Sequence, residues 1–93
     1  MPFNYDKIHA FQSNWTEVAG VYGVLDESNT VIYIGQTDNL KRRHSEHCKD
    51  VDHLMHKNKP TSLIFEFVKD SEMRTRREGE LIHEYNPRCN QKI

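Results

Sequence analysis

The chain has 93 residues, of which 35% are hydrophobic and 29% charged, with a formal net charge of −1 and a pI near 6.6. A chain of this length makes one domain with a thin core, and no apolar run is long enough to span a bilayer or to serve as a signal peptide. The near-neutral balance argues against a nucleic-acid partner, since strong binders usually carry a basic patch.

Taken in chain order, Tyr5, Ile8, Phe11 and Trp15 have a loose helical spacing, which predicts an N-terminal turn packed on the rest of the fold. Gly20–Leu25 reads as a strand, Glu27–Thr30 as a turn, and Val31–Gly35 as the return strand of a hairpin. Thr37, Asp38 and Asn39 are cap candidates for a helix from about Asn39 to Asp50. A second short helix is expected over Val51–Lys59, closed by Pro60. Ser62–Lys69 is aromatic and rich in β-formers. Asp70 or Ser71 caps the last helix, which Pro87 stops near Tyr85, and the tail from Pro87 to Ile93 is expected to be extended. The order is ββααβα: an α/β (α+β) fold with a small three-stranded, mostly antiparallel sheet flanked by helices. Cys48 and Cys89 read as free thiols of a cytoplasmic protein, because nothing signals an oxidising compartment.

The hairpin carries Tyr22 on one strand and Tyr33 beside Gly35 on the other. A loop of even length sets Tyr22 opposite Gly35 and Val24 opposite Tyr33, with both tyrosines on one face. An odd loop without a bulge separates them. On their own, two strand tyrosines can be plain β-formers. In the first helix, Arg43 and His47 are four residues apart and share a side that borders the apolar stripe, whereas Arg42 faces outward. In the last helix Glu78 falls in the middle of the apolar stripe and Glu80 in solvent. A carboxylate so placed is costly unless it is paired or bound to metal. A salt bridge to Arg43 or Arg74 and a metal site are both open readings. Gly79 weakens the helix by about 1 kcal/mol relative to alanine, which either close helix packing or close approach of a ligand would explain.

The pieces Gly20-Val21-Tyr22 and Tyr33-Ile34-Gly35, joined by a short hairpin, resemble the two halves of the GIY-YIG signature. Arg43 follows Gly35 by eight residues and His47 by twelve, as in that family's first helix. Glu78-Gly79-Glu80-Leu81-Ile82 and Asn86-Pro87-Arg88-Cys89-Asn90 resemble the C-terminal part of the GIY-YIG domain in excision-repair incision nucleases; homing endonucleases share the superfamily. The chain is accordingly identified as a single GIY-YIG nuclease domain, 1–93, with 1–19 an N-terminal extension packed on a signature region 20–90. One departure is Gln36, where repair members commonly carry lysine.

The resemblance implies an endonuclease that hydrolyses phosphodiester bonds in DNA, RNA not being excluded, by a one-metal mechanism with Mg²⁺ or Mn²⁺. It places the metal on Glu78. The expected catalytic set is Tyr22, Tyr33, Arg43, His47, Glu78 and Asn90. In this scheme Arg43 clamps phosphate oxygens, Tyr22 positions or deprotonates the water with help from Tyr33, and His47 shares acid–base work. Asn90 orients Glu78 or the tail. Gln36, Lys41, Arg42, Arg74, Arg77 and Arg88 are the expected nucleic-acid contacts, and a partner protein or an oligomer would supply specificity. Two alternatives remain. One is a non-catalytic nucleic-acid-binding module on the same fold. The other is a zinc module built from His44, His47, Cys48, His53 and His56, whose spacings lack the usual paired ligands.

Overall fold

The computed structural model describes Phe3, residues 8–10, Trp15, and residues 17–49 and 60–90, the side chains of 47–49 excepted. Its centre is an antiparallel sheet of β1 (His9–Ala10), β2 (Gly20–Leu25), β3 (Val31–Thr37) and β4 (Ser62–Phe67). The strand order is β1-β4-β2-β3. Helix α1 (Leu40–Lys49) follows β3, helix α2 (Ser71–Tyr85) follows β4, and a 3₁₀ turn spans Arg88–Asn90.

The sheet has four strands, not the expected three. His9 pairs with Leu63 and Ala10 with Ser62, so a segment whose spacing suggested a helical turn contributes a short strand. The physical reason is the edge of β4, whose peptide groups would otherwise stand open at this end. Ile8 confirms the misreading, because it is 45% exposed instead of packed. Tyr5, Phe11 and the expected helix 51–59 lie outside the described residues. The tail is not simply extended either: Asn90 N–H donates to the Pro87 carbonyl at 3.1 Å, which closes the 3₁₀ turn.

Strand β2 explains why GVYGVL is nearly continuous in apolar character. It lies between two strands and under both layers of the core, and all six of its residues are buried. On one face Trp15, Tyr22, Val24, Ile32 and Leu63 pack with Leu40 of α1. On the other, Phe3, Val21, Leu25, Ile34 and Ile64 pack with Leu81 of α2. Both helices begin where short polar side chains satisfy otherwise orphaned amides. Asn39 Oδ1 accepts from Arg42 N–H at 3.1 Å, and Asp70 Oδ1 accepts from Met73 N–H at 2.9 Å. Helix α2 ends on Asn86, in the left-handed region at φ 47°, immediately before buried Pro87. No described helix is long and apolar enough to cross a membrane.

Candidate active site

The hairpin register decides where the tyrosines point. The connection Asp26–Thr30 has five residues, an odd number, but the pairing shifts between Val24 and Leu25, where Leu25 faces Val31 and Val24 faces Tyr33. This bulge leaves Ile32 without a direct partner and restores the parity that an odd loop would break. Tyr22 therefore faces Gly35, and both tyrosines stand on the α1 side of the sheet. Asp26 holds the turn, accepting from the Ser28 and Thr30 amides at 2.9 and 3.0 Å.

Gly35 is required by what lies on it. A Cβ there would fall 2.5 Å from Tyr22 Oη and 2.6 Å from Cζ, so any side chain would displace the phenol. Tyr22 is 1% exposed, and the Tyr33 ring centroid is 6.2 Å away at 45°. Arg43 Nε donates to Tyr22 Oη at 3.4 Å, a long bond that fixes which arginine turns inward. Arg42 points outward, half-exposed, and pairs with Asp38 and Glu46 on its own helix surface. Burial pushes the Tyr22 phenol well above the ordinary range, and neighbouring Tyr33 raises it further against the opposing pull of Arg43.

Glu78 reaches the other side of the same dipeptide. It is half-buried, and its carboxyl pKa is raised by burial, opposed by a hydrogen bond from the Gln36 backbone N–H. Among the described residues neither expected salt bridge forms. Arg43 instead approaches Glu46 at 3.8 Å. Arg74 is 7% exposed and donates to Gln36 Oε1 at 3.1 Å, Val68 O at 3.3 Å and Lys69 O at 2.8 Å. Tyr22 and Glu78 thus meet the chain at consecutive residues, Gly35 and Gln36. The side chains of Gln36 and Arg74, both expected as nucleic-acid contacts, bind each other, and Arg74 also binds the backbone just after β4.

Asn90 does not hydrogen-bond Glu78. Its Oδ1 accepts from Ile34 N–H at 2.7 Å and its Nδ2 donates to Ile34 O at 2.8 Å. One side-chain amide thereby imitates a neighbouring strand and closes the open edge of β3 between Tyr33 and Gly35. In this arrangement the tail holds the strand.

Other basic residues are similarly committed. Arg77 forks onto Glu66 at 2.8 and 3.1 Å, with both side chains largely covered, and it also reaches Glu80 at 3.3 Å. It braces α2 against β4, with a carboxylate already satisfying its planar fork. Arg88 is half-exposed and ties the tail to Asp26 at 2.9 Å. Lys41 is exposed on α1. The backbone of His47 lies in α1, while its side chain is outside the described residues. His44 stacks on Trp15, with centroids 3.9 Å apart. Cys89 is half-buried and in no disulfide. Sequence reasoning missed the Arg74–Gln36 contact. Its one signal was Gln36 itself, at a position where the resembling proteins carry a cation.

A family model described as the GIY-YIG catalytic domain matches residues 18–92. No curated protein matches the chain. Among solved structures, the GIY-YIG N-terminal endonuclease domain of UvrC from Thermotoga maritima is similar. Its magnesium-bound form shares 23% identity at a TM-score of 0.71, covering 82% of this chain and 86% of that one. Two point mutants of the same domain, each bound to the catalytic divalent cation, share 22% and 21% identity at TM-scores of 0.72 and 0.70, both covering 83% of this chain and 87% of theirs. Since the family match takes in the hairpin, α1, α2 and the Asn90 tail together, this chain belongs to the GIY-YIG catalytic domain family.

Proposed function

We propose that the domain is an endonuclease that hydrolyses DNA phosphodiester bonds with one divalent cation, Mg²⁺ or Mn²⁺, held by Glu78. The observation that carries this reading is a half-buried carboxylate with no cation partner among the described residues, held at the Gln36 N–H, next to the glycine that seats Tyr22. The donor set fits such an ion. Mg²⁺ accepts a single carboxylate and fills its shell with water and phosphate oxygens. Of the alternative zinc ligands, His44 stacks on Trp15, and the side chains of His47, Cys48, His53 and His56 lie outside the described residues.

When bound, the cation supplies Lewis-acid stabilisation of the phosphate and of the leaving oxygen. Arg43 donates to non-bridging phosphate oxygens, whose charge grows in the transition state. The neutral Tyr22 phenol orients the attacking water, with Tyr33 beside it. His47 takes the proton that water releases, the general-base role to which an imidazole is suited. Asn90 and the Arg74–Gln36 pair act earlier, by fixing the two ends of the β3 segment that carries Tyr33 and Gly35. With few uncommitted cations among the described residues, the domain relies on a partner protein or a second copy to choose its cutting site.

The test is to incubate the protein with supercoiled, branched and single-stranded DNA, and with RNA, in Mg²⁺, Mn²⁺ or EDTA. Cutting should require metal, vanish in Glu78→Ala and persist in Glu80→Ala. Equal effects of the two substitutions in folded proteins would refute the assignment of Glu78. DNA bound in every condition and never cut would favour a non-catalytic module.

A further inference from the structure

One cavity lies apart from the tyrosines. It has a volume of about 620 Å³ and opens between the starts of α1 and α2, lined by Glu17, Val18, Asp38, Phe67, Lys69 and Arg74 among others. That size falls within the roughly 300–1,000 Å³ of small-ligand sites. Phe67 is 65% exposed, an unusual state for a phenylalanine on a strand. Its ring is fixed edge-on against Phe65, with centroids 5.1 Å apart at 89°. In register it faces Gly20, which brings no side chain over the ring and can bring none, because a Cβ there would strike the Glu66 carbonyl.

We propose that this cavity takes one unpaired nucleobase of the substrate strand, stacked on Phe67. The inference rests on the endonuclease reading and deepens it. The charges do not single out a phosphate as occupant. Glu17 and Asp38 offset Lys69 in the lining, and the Arg74 guanidinium already serves Gln36 and the Val68 and Lys69 carbonyls. The same carboxylates suit a base, since they accept from exocyclic amino groups and ring N–H donors. Continuity with the active site supports the choice of strand. Phe65 faces Tyr22 in register, so Phe67 stands two residues, about 7 Å, further along the same face. Arg74 precedes Glu78 by four residues, one turn of α2, about 6 Å. A strand with its phosphate at Glu78 therefore has an adjoining base within reach of the cavity. Stacking on an aromatic ring is tolerant of sequence but demands an unstacked base, so the site selects for branched, frayed or single-stranded DNA.

The experiment compares forked DNA carrying a normal or an abasic nucleotide at each position near the junction. Binding is read by fluorescence anisotropy at low salt in EDTA, and cleavage by the same protein is read in Mg²⁺. Wild type should bind the normal fork about 5- to 150-fold more tightly than the fork abasic at one position, the ratio base–aromatic stacking supplies. Phe67→Ala should bind both forks alike and weakly, with an unchanged melting temperature, and Phe67→Tyr should restore the preference. Cleavage by wild type with equal affinity for every fork would overturn the base site and leave the nuclease intact. Neither binding nor cutting would sink both readings. Discrimination that survives in Phe67→Ala would move the base elsewhere and overturn the role of this cavity.

Discussion

Glu78 is a carboxylate that the fold covers without supplying a counter-charge among the described residues, and that has a cost separable from function. Its folded pKa is raised above the ordinary 4.5, by burial first. The fold therefore favours the protonated form. With respect to this group the domain is most stable below the unfolded value and loses stability as pH rises through the raised folded value. Glu78→Gln should remove that loss. In EDTA at pH 7 the glutamine variant should melt higher than wild type, and the difference should disappear near pH 4. Added Mg²⁺ should raise the melting temperature of wild type only. A glutamine variant that melts lower at pH 7 would mean that the carboxylate stabilises the fold and is no vacant ligand. Arg43 yields a second test. Charge in the transition state spreads over non-bridging oxygens, and a planar guanidinium can donate to two of them while a lysine ammonium acts as a compact point. Arg43→Lys should slow single-turnover cleavage nearly as much as Arg43→Ala, each by about 10²–10³-fold, the loss typical of one preorganised donor. Arg42→Ala should be mild, because its partners Asp38 and Glu46 are themselves surface groups. Near wild-type turnover by the lysine variant would defeat the clamp.

At the scale of elements, the structure separates two explanations of Gly79. Helix-on-sheet packing does not need it, since a Cβ there meets nothing within 4 Å and the residue is exposed. Its φ is not positive either. Gly79→Ala should therefore stabilise the domain by about 0.5–1 kcal/mol, the usual gain in a helix interior. Chemical denaturation measures this directly. If cleavage falls while stability rises, substrate comes close to this turn of α2; if both hold or rise, the glycine serves neither packing nor binding. A loss of stability would contradict the open surface seen around it. The β3 edge follows a related logic. Glu78 and Asn90 both hydrogen-bond its outward peptides, so α2 and the tail substitute for a fifth strand.

For the whole molecule, charge decides how it meets nucleic acid. Arg74, Arg77 and Arg88 are bound to carbonyls or carboxylates, and the net charge is −1. Proteins that contact about 6–10 phosphates lose about 10³–10⁵ in affinity between 50 and 200 mM salt. This domain should lose much less, with a slope matching only two or so phosphate contacts, about −2 on a log–log plot. A titration on duplex DNA across that salt range tests it. A steep slope would require cations gathered from more than one copy.

The sequence alone determined the strands β2, β3 and β4, both capped helices, and the ordering of Tyr22, Tyr33, Arg43 and Glu78 along the chain. These are local properties: alternation, helical spacing, a cap residue, a proline stop. Periodicity also reached one step into space, turning Arg43 inward and Arg42 outward, because an amphipathic helix has only one face to bury. The strand at His9–Ala10 was not legible, since two residues carry no period and their pairing depends on an edge supplied more than fifty residues later. The parity of the hairpin was open for the same reason, as a bulge leaves no mark in the pattern of hydrophobic residues. Charge pattern left the arginines undecided, and only the tertiary structure could assign Arg77 to Glu66, Arg74 to Gln36 and Arg88 to Asp26. Such pairs are fixed by distance across the fold, where a guanidinium is satisfied by whichever oxygen the packing brings to it.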